Sequence, residues 1–252
     1  MTATVALLLA ALLVPHQEEK DPDVESKDLT LGGDKTKRYF FIGPQKGVET
    51  PKNGFKLAIV LPGGDGTAEF HPFVRRIWKE SLGTDYLLLQ PVAIEWKPGQ
   101  NDTNTWPTKR NTAPGMKYTT EEFVEALILD TAKKHKIDPK KVFTLSWSSG
   151  GPPAYAISLQ ERRLVTGAFI VMSVFREQDL PPLRNAKGQA YYLLHSPEDE
   201  TCKIELAKTA RDELKKKGAS VEFVEYKGGH AWPKDVYAFL RSGFGWLEKV
   251  AR

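Results

Sequence analysis

Cysteine is almost missing from this sequence, since Cys202 is the only one among 252 residues. A single cysteine excludes an internal disulfide bond and a metal centre built from cysteines. An excess of one charge is also missing, because the formal net charge is only +4 and the charged residues are spread along the chain. A nucleic-acid-binding surface needs basic residues clustered on one face, so we expect no nucleic-acid partner.

Long hydrophobic runs are missing as well. The apolar run Val5–Val14 has ten residues, which is too short to cross a bilayer, and we expect no membrane span. The run is typical of the core of a secretory signal peptide, although no Lys or Arg precedes it and no A-x-A cleavage site follows. We therefore predict a signal peptide at residues 1–16 and a secreted or periplasmic protein. The alternative is a buried N-terminal segment of a cytoplasmic protein.

The rest of the chain divides into a polar segment and one domain. Residues 17–35 are charged and contain prolines and glycines, which predicts a linker or a loosely attached arm. From residue 36 to residue 252, apolar runs typical of strands alternate with helical segments. Strands are predicted at 36–42, 55–61, 86–91, 142–145, 167–172, 190–195 and 221–226, and helices at 70–78, 119–136, 154–159, 201–217 and 236–250. This alternation predicts an α/β fold with a mostly parallel central sheet and helices on both faces.

One segment of this domain has no clear periodicity. Residues 92–118 contain Trp96, Trp106 and several prolines and glycines. A loop of this length in a compact domain is usually functional, for example as a lid.

The segment Leu145–Gly151 has the pattern of a nucleophile elbow, in which a strand, a sharp turn around a serine and a helix follow one another. The chain folds back on itself there, so the residues two positions before and after the serine must be small. Ser148 meets this condition with Ser146 and Gly150. Centring the turn on Ser149 would place the indole of Trp147 at a flank. We therefore predict that Ser148 is the nucleophile.

A serine hydroxyl needs a base to take its proton and a third group to orient that base. In the elbow architecture the acid and then the histidine follow the serine along the chain. His230, in a glycine-rich loop after the last predicted strand, is the candidate base, whereas His195 ends a strand and is interpreted as structural. Asp199 is the candidate acid because it lies deepest in the loop after the strand at 190–195. Glu198 is the second candidate.

The oxyanion of a tetrahedral intermediate needs N–H donors that are already in place. One donor is expected from the backbone of Ser149, the residue after the nucleophile. The second is expected from the turn at Gly63-Gly64, with Gly64 preferred and Asp65 as the alternative. This turn lacks the Lys-Ser/Thr of a P-loop and the spacing of G-x-G-x-x-G, so a nucleotide-phosphate cradle is disfavoured.

Four segments in this order make the chain resemble the α/β-hydrolases. They are Leu61–Gly64 after a strand, the elbow Ser146–Gly151, His195–Asp199, and Gly228–Pro233. The likeness covers roughly residues 36–250 by motif order. It is greatest to the phospholipase/carboxylesterase branch and to the branch resembling polyhydroxybutyrate depolymerases and feruloyl esterases.

Three positions depart from the pattern of these families. Pro62 stands where a histidine is usual in the oxyanion motif, and Ser146 replaces the first glycine of the elbow. Ser196 replaces a glycine that usually follows the position of His195.

The resemblance implies a serine esterase that cleaves carboxylic esters through an acyl-enzyme, with Ser148, Asp199 and His230 as the triad. It implies no cofactor and no metal. The substrate is expected to be a small-molecule or polymer-linked ester, and the oligomeric state is not predicted. Aromatic side chains near the elbow are candidates for an acyl pocket: Trp96, Trp106, Trp147 and Trp232. A serine peptidase of the same fold and a degenerate hydrolase that only binds its ligand are the alternatives.

Overall fold

A mixed sheet of eight strands forms the centre of the part of the chain that is described, residues 23–98, 100 and 105–251 of the computed structural model. The strands are β1 Lys27–Thr30, β2 Arg38–Ile42, β3 Phe55–Leu61, β4 Tyr86–Pro91, β5 Ile137–Trp147, β6 Gly167–Val171, β7 Ala190–His195 and β8 Ser220–Glu225. Their order across the sheet is β1-β2-β4-β3-β5-β6-β7-β8. Only the pairs β1/β2 and β2/β4 are antiparallel. The predicted mostly parallel sheet is therefore confirmed.

Helices cover both faces of this sheet, as predicted. They are α1 His71–Ile77, α2 Thr120–Lys134, α3 Gly151–Ser158, α4 Ile204–Lys216 and α5 Val236–Val250. The core on one face contains side chains of α2, α3 and α4, and the core on the other face contains side chains of α1 and α5. Among the described residues, no helix combines the length and the apolar composition that crossing a membrane requires.

Strand β3 shows why the central strands are apolar throughout. Leu57, Ile59 and Leu61 point into the core on one face, and Ala58 and Val60 point into the core on the other. All five side chains are fully buried. Successive side chains of a strand alternate between faces, so a strand covered on both sides needs an unbroken apolar run. Burial of each larger side chain stabilises the fold by about 1.5–3 kcal/mol.

The predicted linker at residues 17–35 is wrong for part of its length. Lys27–Thr30 forms the edge strand β1, antiparallel to β2. Upstream of it Val24 is buried, and its carbonyl accepts hydrogen bonds from the guanidinium of Arg75. In β1 only Leu29 is half-buried, so the pattern of apolar residues gave no sign of a strand. The predicted signal peptide at residues 1–16 lies outside the described residues and stays a prediction.

The ends of helix α2 illustrate one correct and one incorrect prediction. Its start is a capping box, in which the Thr119 hydroxyl accepts from the Glu122 N–H and the Glu122 carboxylate accepts from the Thr119 N–H. The helix was predicted to reach residue 136, but it stops at Lys134. Strand β5 already begins at Ile137, because that residue pairs with Phe55 of β3.

The parallel strands place four loops at one edge of the sheet. These loops follow the carboxyl ends of β3, β5, β7 and β8, and in open α/β sheets such ends are the usual place for a ligand site. We call residues 62–66 the glycine turn, residues 196–203 the acid loop and residues 226–235 the base loop. With the turn at Ser148, these three segments contain every triad and oxyanion residue predicted from the sequence.

Candidate active site

Ser148 lies at a strained turn between β5 and α3. Strand β5 ends at Trp147, and α3 begins at Gly151. The φ angle of Ser148 is +49°, in the left-handed region that residues other than glycine rarely adopt. Such a conformation costs on the order of 1–3 kcal/mol and persists only where the surroundings impose it. This is the backbone geometry that the elbow pattern predicts for the serine.

Glycines allow the elbow to pack against its neighbours. A Cβ atom at Gly150 would lie 2.1 Å from the carbonyl oxygen of Leu61, and one at Gly151 would lie 1.9 Å from Ser173 Oγ. The hydroxyl of Ser173 in turn donates to the carbonyl of Ser148 at 2.6 Å. The turn is therefore held from two sides at once, by the end of β3 and by the segment after β6, and a Cβ atom at either glycine would meet these neighbours.

Three predicted residues form one chain of hydrogen bonds. Ser148 Oγ lies 2.9 Å from His230 Nε2. His230 Nδ1 lies 2.8 Å from Asp199 Oδ2. Because a carboxylate only accepts, Nδ1 carries the proton, and Nε2 is left with a lone pair that faces the serine hydroxyl. The structure thus brings together side chains that lie 82 and 31 residues apart in sequence.

Asp199 is held in an ionised state by its surroundings. Its side chain is buried, and Oδ1 accepts from the N–H groups of Thr201 at 2.9 Å and Cys202 at 2.8 Å. Burial alone would raise the pKa of Asp199, but the hydrogen bonds from His230 and Cys202 outweigh it and lower the pKa below the ordinary value. The carboxylate therefore carries its charge at neutral pH and can stabilise a cationic imidazole.

The alternative acids do not reach the imidazole. Glu198 and Glu200 are exposed, and Glu198 Oε2 instead accepts from the N–H of Gly228 at 3.2 Å. The second histidine, His195, is buried, and its Nε2 donates to the carbonyl of Cys202 at 2.7 Å. Its Nε2 also lies 3.5 Å from Asp199 Oδ2, and its burial and backbone bond support the interpretation as a structural residue, which stays a prediction.

A metal site is the other chemistry to consider here. Among the described residues, a single group of three possible metal ligands lies close together, with ligand atoms within 4.8 Å of one another: Asp199, Cys202 and His230. Two of these residues already share a proton in the His230–Asp199 hydrogen bond. Burial raises the pKa of the Cys202 thiol to about 12, and a metal would require the thiolate. The donor set therefore fits a hydrogen-bonded pair beside a neutral thiol better than it fits a metal ion.

The glycine turn packs directly on Ser148. A Cβ atom at Gly63 would lie 3.0 Å from Ser148 Cβ and 2.7 Å from Trp147 Cδ1. Gly64 has a φ angle of +59°, which glycine adopts freely. Its carbonyl accepts from the hydroxyls of Ser149 at 2.8 Å and Thr105 at 2.9 Å. The turn is therefore fixed both to the elbow and to the 92–118 segment.

The two backbone N–H groups predicted to bind the oxyanion are not used elsewhere in the described part of the chain. Within the described residues, the N–H groups of Gly64 and Ser149 donate to no other group. The side chain of Asp65 is exposed, and its Oδ1 accepts from the N–H of Thr67 at 3.2 Å. Gly64 and Ser149 thus keep free backbone donors on the two segments that meet at Ser148.

Two of the tryptophans predicted to line an acyl pocket are buried. Trp147 is only 1% exposed, because it lies on the same face of β5 as Phe143 and Leu145. Trp106 is 5% exposed, and its Nε1 donates to the carbonyl of Pro62 in the glycine turn at 2.9 Å. For Trp147 the pocket prediction is wrong, because alternation along β5 directs its indole into the core. Trp106 also lines a small apolar pocket, so its part in substrate binding stays a prediction.

The other two tryptophans are half-buried. Trp232 packs edge-on against Phe73 and Trp147, with ring centroids 5.5 Å and 5.4 Å apart. Trp96 packs against Tyr118 and contributes to the wall of a small apolar pocket. Of the four candidates, Trp232 is the one that shares a loop with His230.

Several polar side chains that hold the site together escaped the sequence analysis. Thr105 and the hydroxyl of Ser149 hold Gly64, Ser173 holds the carbonyl of Ser148, and Ser196 bridges the acid and base loops. Only Ser196 carried a sequence signal, since it stands where the resembled families have glycine.

Comparison with solved structures identifies the fold. The chain matches a carboxylesterase from Mesorhizobium loti at 16% identity, with a TM-score of 0.62 over 88% of this chain and 98% of that one. It matches one of two fungal esterases from Rhizomucor miehei at 12% identity, with a TM-score of 0.68 over 92% and 85%.

A third match is a thermostable esterase at 18% identity with a TM-score of 0.62, where 85% of this chain covers only 59% of the other. No protein-family model and no curated protein matches the chain. The strand order, the elbow and these neighbours together show that the chain has the α/β-hydrolase fold.

Proposed function

We propose that this protein is a serine esterase that hydrolyses carboxylic esters through an acyl-enzyme. The observation that carries the proposal is the unbroken hydrogen-bond chain from Ser148 through His230 to Asp199, with the serine at a strained elbow. Esterases among the solved structures with this fold support the same reaction class.

Acylation begins when Ser148 Oγ attacks the ester carbonyl carbon. His230 Nε2 takes the serine proton as the new C–O bond forms, and the carboxylate of Asp199 stabilises the resulting imidazolium. The carbonyl oxygen becomes an oxyanion, for which the free N–H groups of Gly64 and Ser149 are the donors. The imidazolium then passes its proton to the leaving alcohol, and the acyl group remains on the serine.

Deacylation repeats these steps with water in place of the serine. His230 Nε2 takes a proton from water, and the resulting hydroxide equivalent attacks the acyl-enzyme carbonyl. Collapse of the second tetrahedral intermediate releases the carboxylic acid, and Ser148 regains its proton from the imidazolium. The reaction consumes one water and needs no cofactor.

The substrate proposed for this site is a small-molecule or polymer-linked ester. A peptidase would use the same triad, and a degenerate hydrolase would bind without turnover. A panel of aryl esters, short-chain alkyl esters and peptide amides separates these functions. An esterase expels an alcohol as the acyl-enzyme forms, a peptidase expels an amine, and a degenerate hydrolase expels neither.

The direct test is hydrolysis of an activated nitrophenyl ester by the wild type and by Ser148→Ala. We expect the variant to lose at least about 10⁴-fold in kcat while keeping its melting temperature. A fluorophosphonate probe should label the wild type covalently at Ser148 and leave the variant unlabelled. A folded wild type that neither turns over the ester nor accepts the probe would contradict the proposal.

A further inference from the structure

The acid loop and the base loop are joined by hydrogen bonds that do not involve the triad side chains. The N–H of Gly229 donates to Ser196 Oγ at 3.1 Å, and the N–H of Gly228 donates to Glu198 Oε2 at 3.2 Å. Within the acid loop, the N–H of Glu198 also donates to Ser196 Oγ at 3.2 Å. One hydroxyl thus accepts from both loops.

These bonds restrain the base loop where its own backbone offers little restraint. Gly228 and Gly229 have φ angles of +146° and +65°, which glycine adopts but other residues rarely do. Without a Cβ atom these two residues have wide backbone freedom, and Tyr226 Oη, 3.5 Å from the Gly229 carbonyl, restrains them only weakly. On the other side of the histidine, Tyr226 Oη donates to the carbonyl of Ala231 at 2.7 Å. His230 therefore lies between two anchored points.

The two acceptors in the acid loop differ in their surroundings. The side chain of Ser196 is completely buried, so water does not compete for the Gly229 N–H. The side chain of Glu198 is exposed, so its bond to Gly228 competes with solvent. A hydrogen bond in a dry site is electrostatically stronger and costs more to lose than one at the surface. Ser196 is consequently the more important of the two links.

We propose that Ser196 is a positioning residue for the base. Its hydroxyl holds Gly229, and through Gly229 it keeps the imidazole of His230 in contact with both Asp199 and Ser148. Glu198 adds a second, weaker link through Gly228. This inference rests on the proposed esterase function. It also gives a role to the departure at residue 196, since the glycine of the resembled families has no side-chain acceptor.

Kinetics of Ser196→Ala provide the first test. We expect kcat on an activated ester to fall about 10- to 100-fold with little change in KM, because a small displacement of the base affects the transition state more than binding. Ser158→Ala is the matched control. Ser158 is a buried serine at the far end of α3, bonded to Tyr155 and Tyr191. It should lose comparable stability and keep its kcat.

Proton NMR provides a test that does not depend on turnover. In the wild type, the His230 Nδ1 proton bonded to Asp199 should give a low-field resonance that exchanges slowly with water. In Ser196→Ala we expect this resonance to broaden or disappear, and in Ser158→Ala we expect it unchanged. Failure of the esterase proposal would leave a normal resonance in an inactive wild type, so the two failures are distinguishable.

The exposed hydrogen bond from the Gly228 N–H to Glu198 provides a further test. Glu198→Ala removes the acceptor for Gly228 and should lower kcat about two- to fivefold, whereas Glu198→Gln retains an acceptor oxygen and should restore it. A Ser196→Ala protein with wild-type kcat and an unchanged resonance would overturn the proposal. If that variant cannot be obtained, Ser196→Gly removes the same hydroxyl, and wild-type kcat and resonance in Ser196→Gly would overturn the proposal.

Discussion

The elbow around Ser148 and the pair of loops that carry Asp199 and His230 reach their geometry by different means. At the elbow, backbone and side-chain atoms are so close that Gly150 and Gly151 have no room for a Cβ atom. In the loops, hydrogen bonds of 2.8–3.2 Å between N–H groups and oxygens hold the side chains in place. The elbow is thus positioned mainly by excluded volume, with the Ser173 hydrogen bond in support, whereas the two loops are positioned by hydrogen bonds.

This difference predicts how each half responds to change. At the elbow there is no room for an added atom, so such an atom must displace a neighbouring strand. The result is a lower free energy of unfolding. A hydrogen bond can be lost singly, so a change in the acid or base loop should leave the fold intact and reduce catalysis by degrees. The following experiments compare the two halves.

The largest graded effect is expected for Asp199→Asn. The amide keeps the shape of the side chain but removes the charge and lets the imidazole adopt the wrong tautomer, so kcat should fall by up to about 10⁴-fold. Glu198→Gln and Glu200→Gln are the controls, because both side chains are exposed. The measurement is kcat/KM on one activated ester, with a thermal melt for each variant. A crippled Glu198→Gln beside a near-normal Asp199→Asn would show that the acid is misassigned.

The next effect concerns folding at the elbow. Gly150→Ala places a Cβ atom 2.1 Å from the Leu61 carbonyl oxygen, and we expect the free energy of unfolding to fall by about 3 kcal/mol. Gly245→Ala in α5 is the matched control, because its Cβ atom would meet nothing within 4 Å. Removing this helix glycine should instead stabilise by about 0.5–1 kcal/mol. Urea unfolding measures both. Equal changes in the two variants would contradict a steric origin for the geometry of the elbow.

A smaller effect is expected where the elbow meets the glycine turn. Ser149→Ala removes one of two hydroxyls that donate to the Gly64 carbonyl. The backbone donor of residue 149 remains, so kcat/KM should fall only about three- to tenfold. Thr105→Ala removes the second hydroxyl, and the double variant should lose more than the product of the two single losses, because either hydroxyl alone still holds the carbonyl. A loss in Ser149→Ala as large as in Ser148→Ala would reassign the nucleophile.

The smallest effect is a dependence of stability on pH. The pKa of Asp199 is lower in the folded protein than its ordinary value, so this group stabilises the fold above about pH 4. That contribution is lost as the pH falls through the folded pKa. The wild type should therefore lose more free energy of unfolding than Asp199→Asn when the pH is lowered below about 4. Parallel losses in urea titrations of the two proteins would contradict this prediction.

Local patterns were sufficient to predict the elbow. The requirement for small residues around Ser148 concerns only the five positions from Ser146 to Gly150. The strand before the turn and the helix after it each have their own pattern of apolar residues. The same reasoning assigned Trp147 to a pocket, which is wrong. Proximity in sequence to a nucleophile does not place a side chain beside it, because neighbours on a strand point to opposite faces.

The sequence alone determined the alternation of strands and helices, the α/β class, the serine at the elbow, and the order in which the residues bonded to it follow along the chain. These features depend on contacts between residues close in the chain or on the periodicity of apolar side chains. Only the tertiary structure decided which of three adjacent carboxylates meets His230, that Lys27–Thr30 joins the sheet, and that Ser196 links two loops 33 residues apart. Those outcomes depend on which groups the folded sheet brings within hydrogen-bonding distance of one another. Hydrogen bonds between distant loops leave no periodic trace in a sequence.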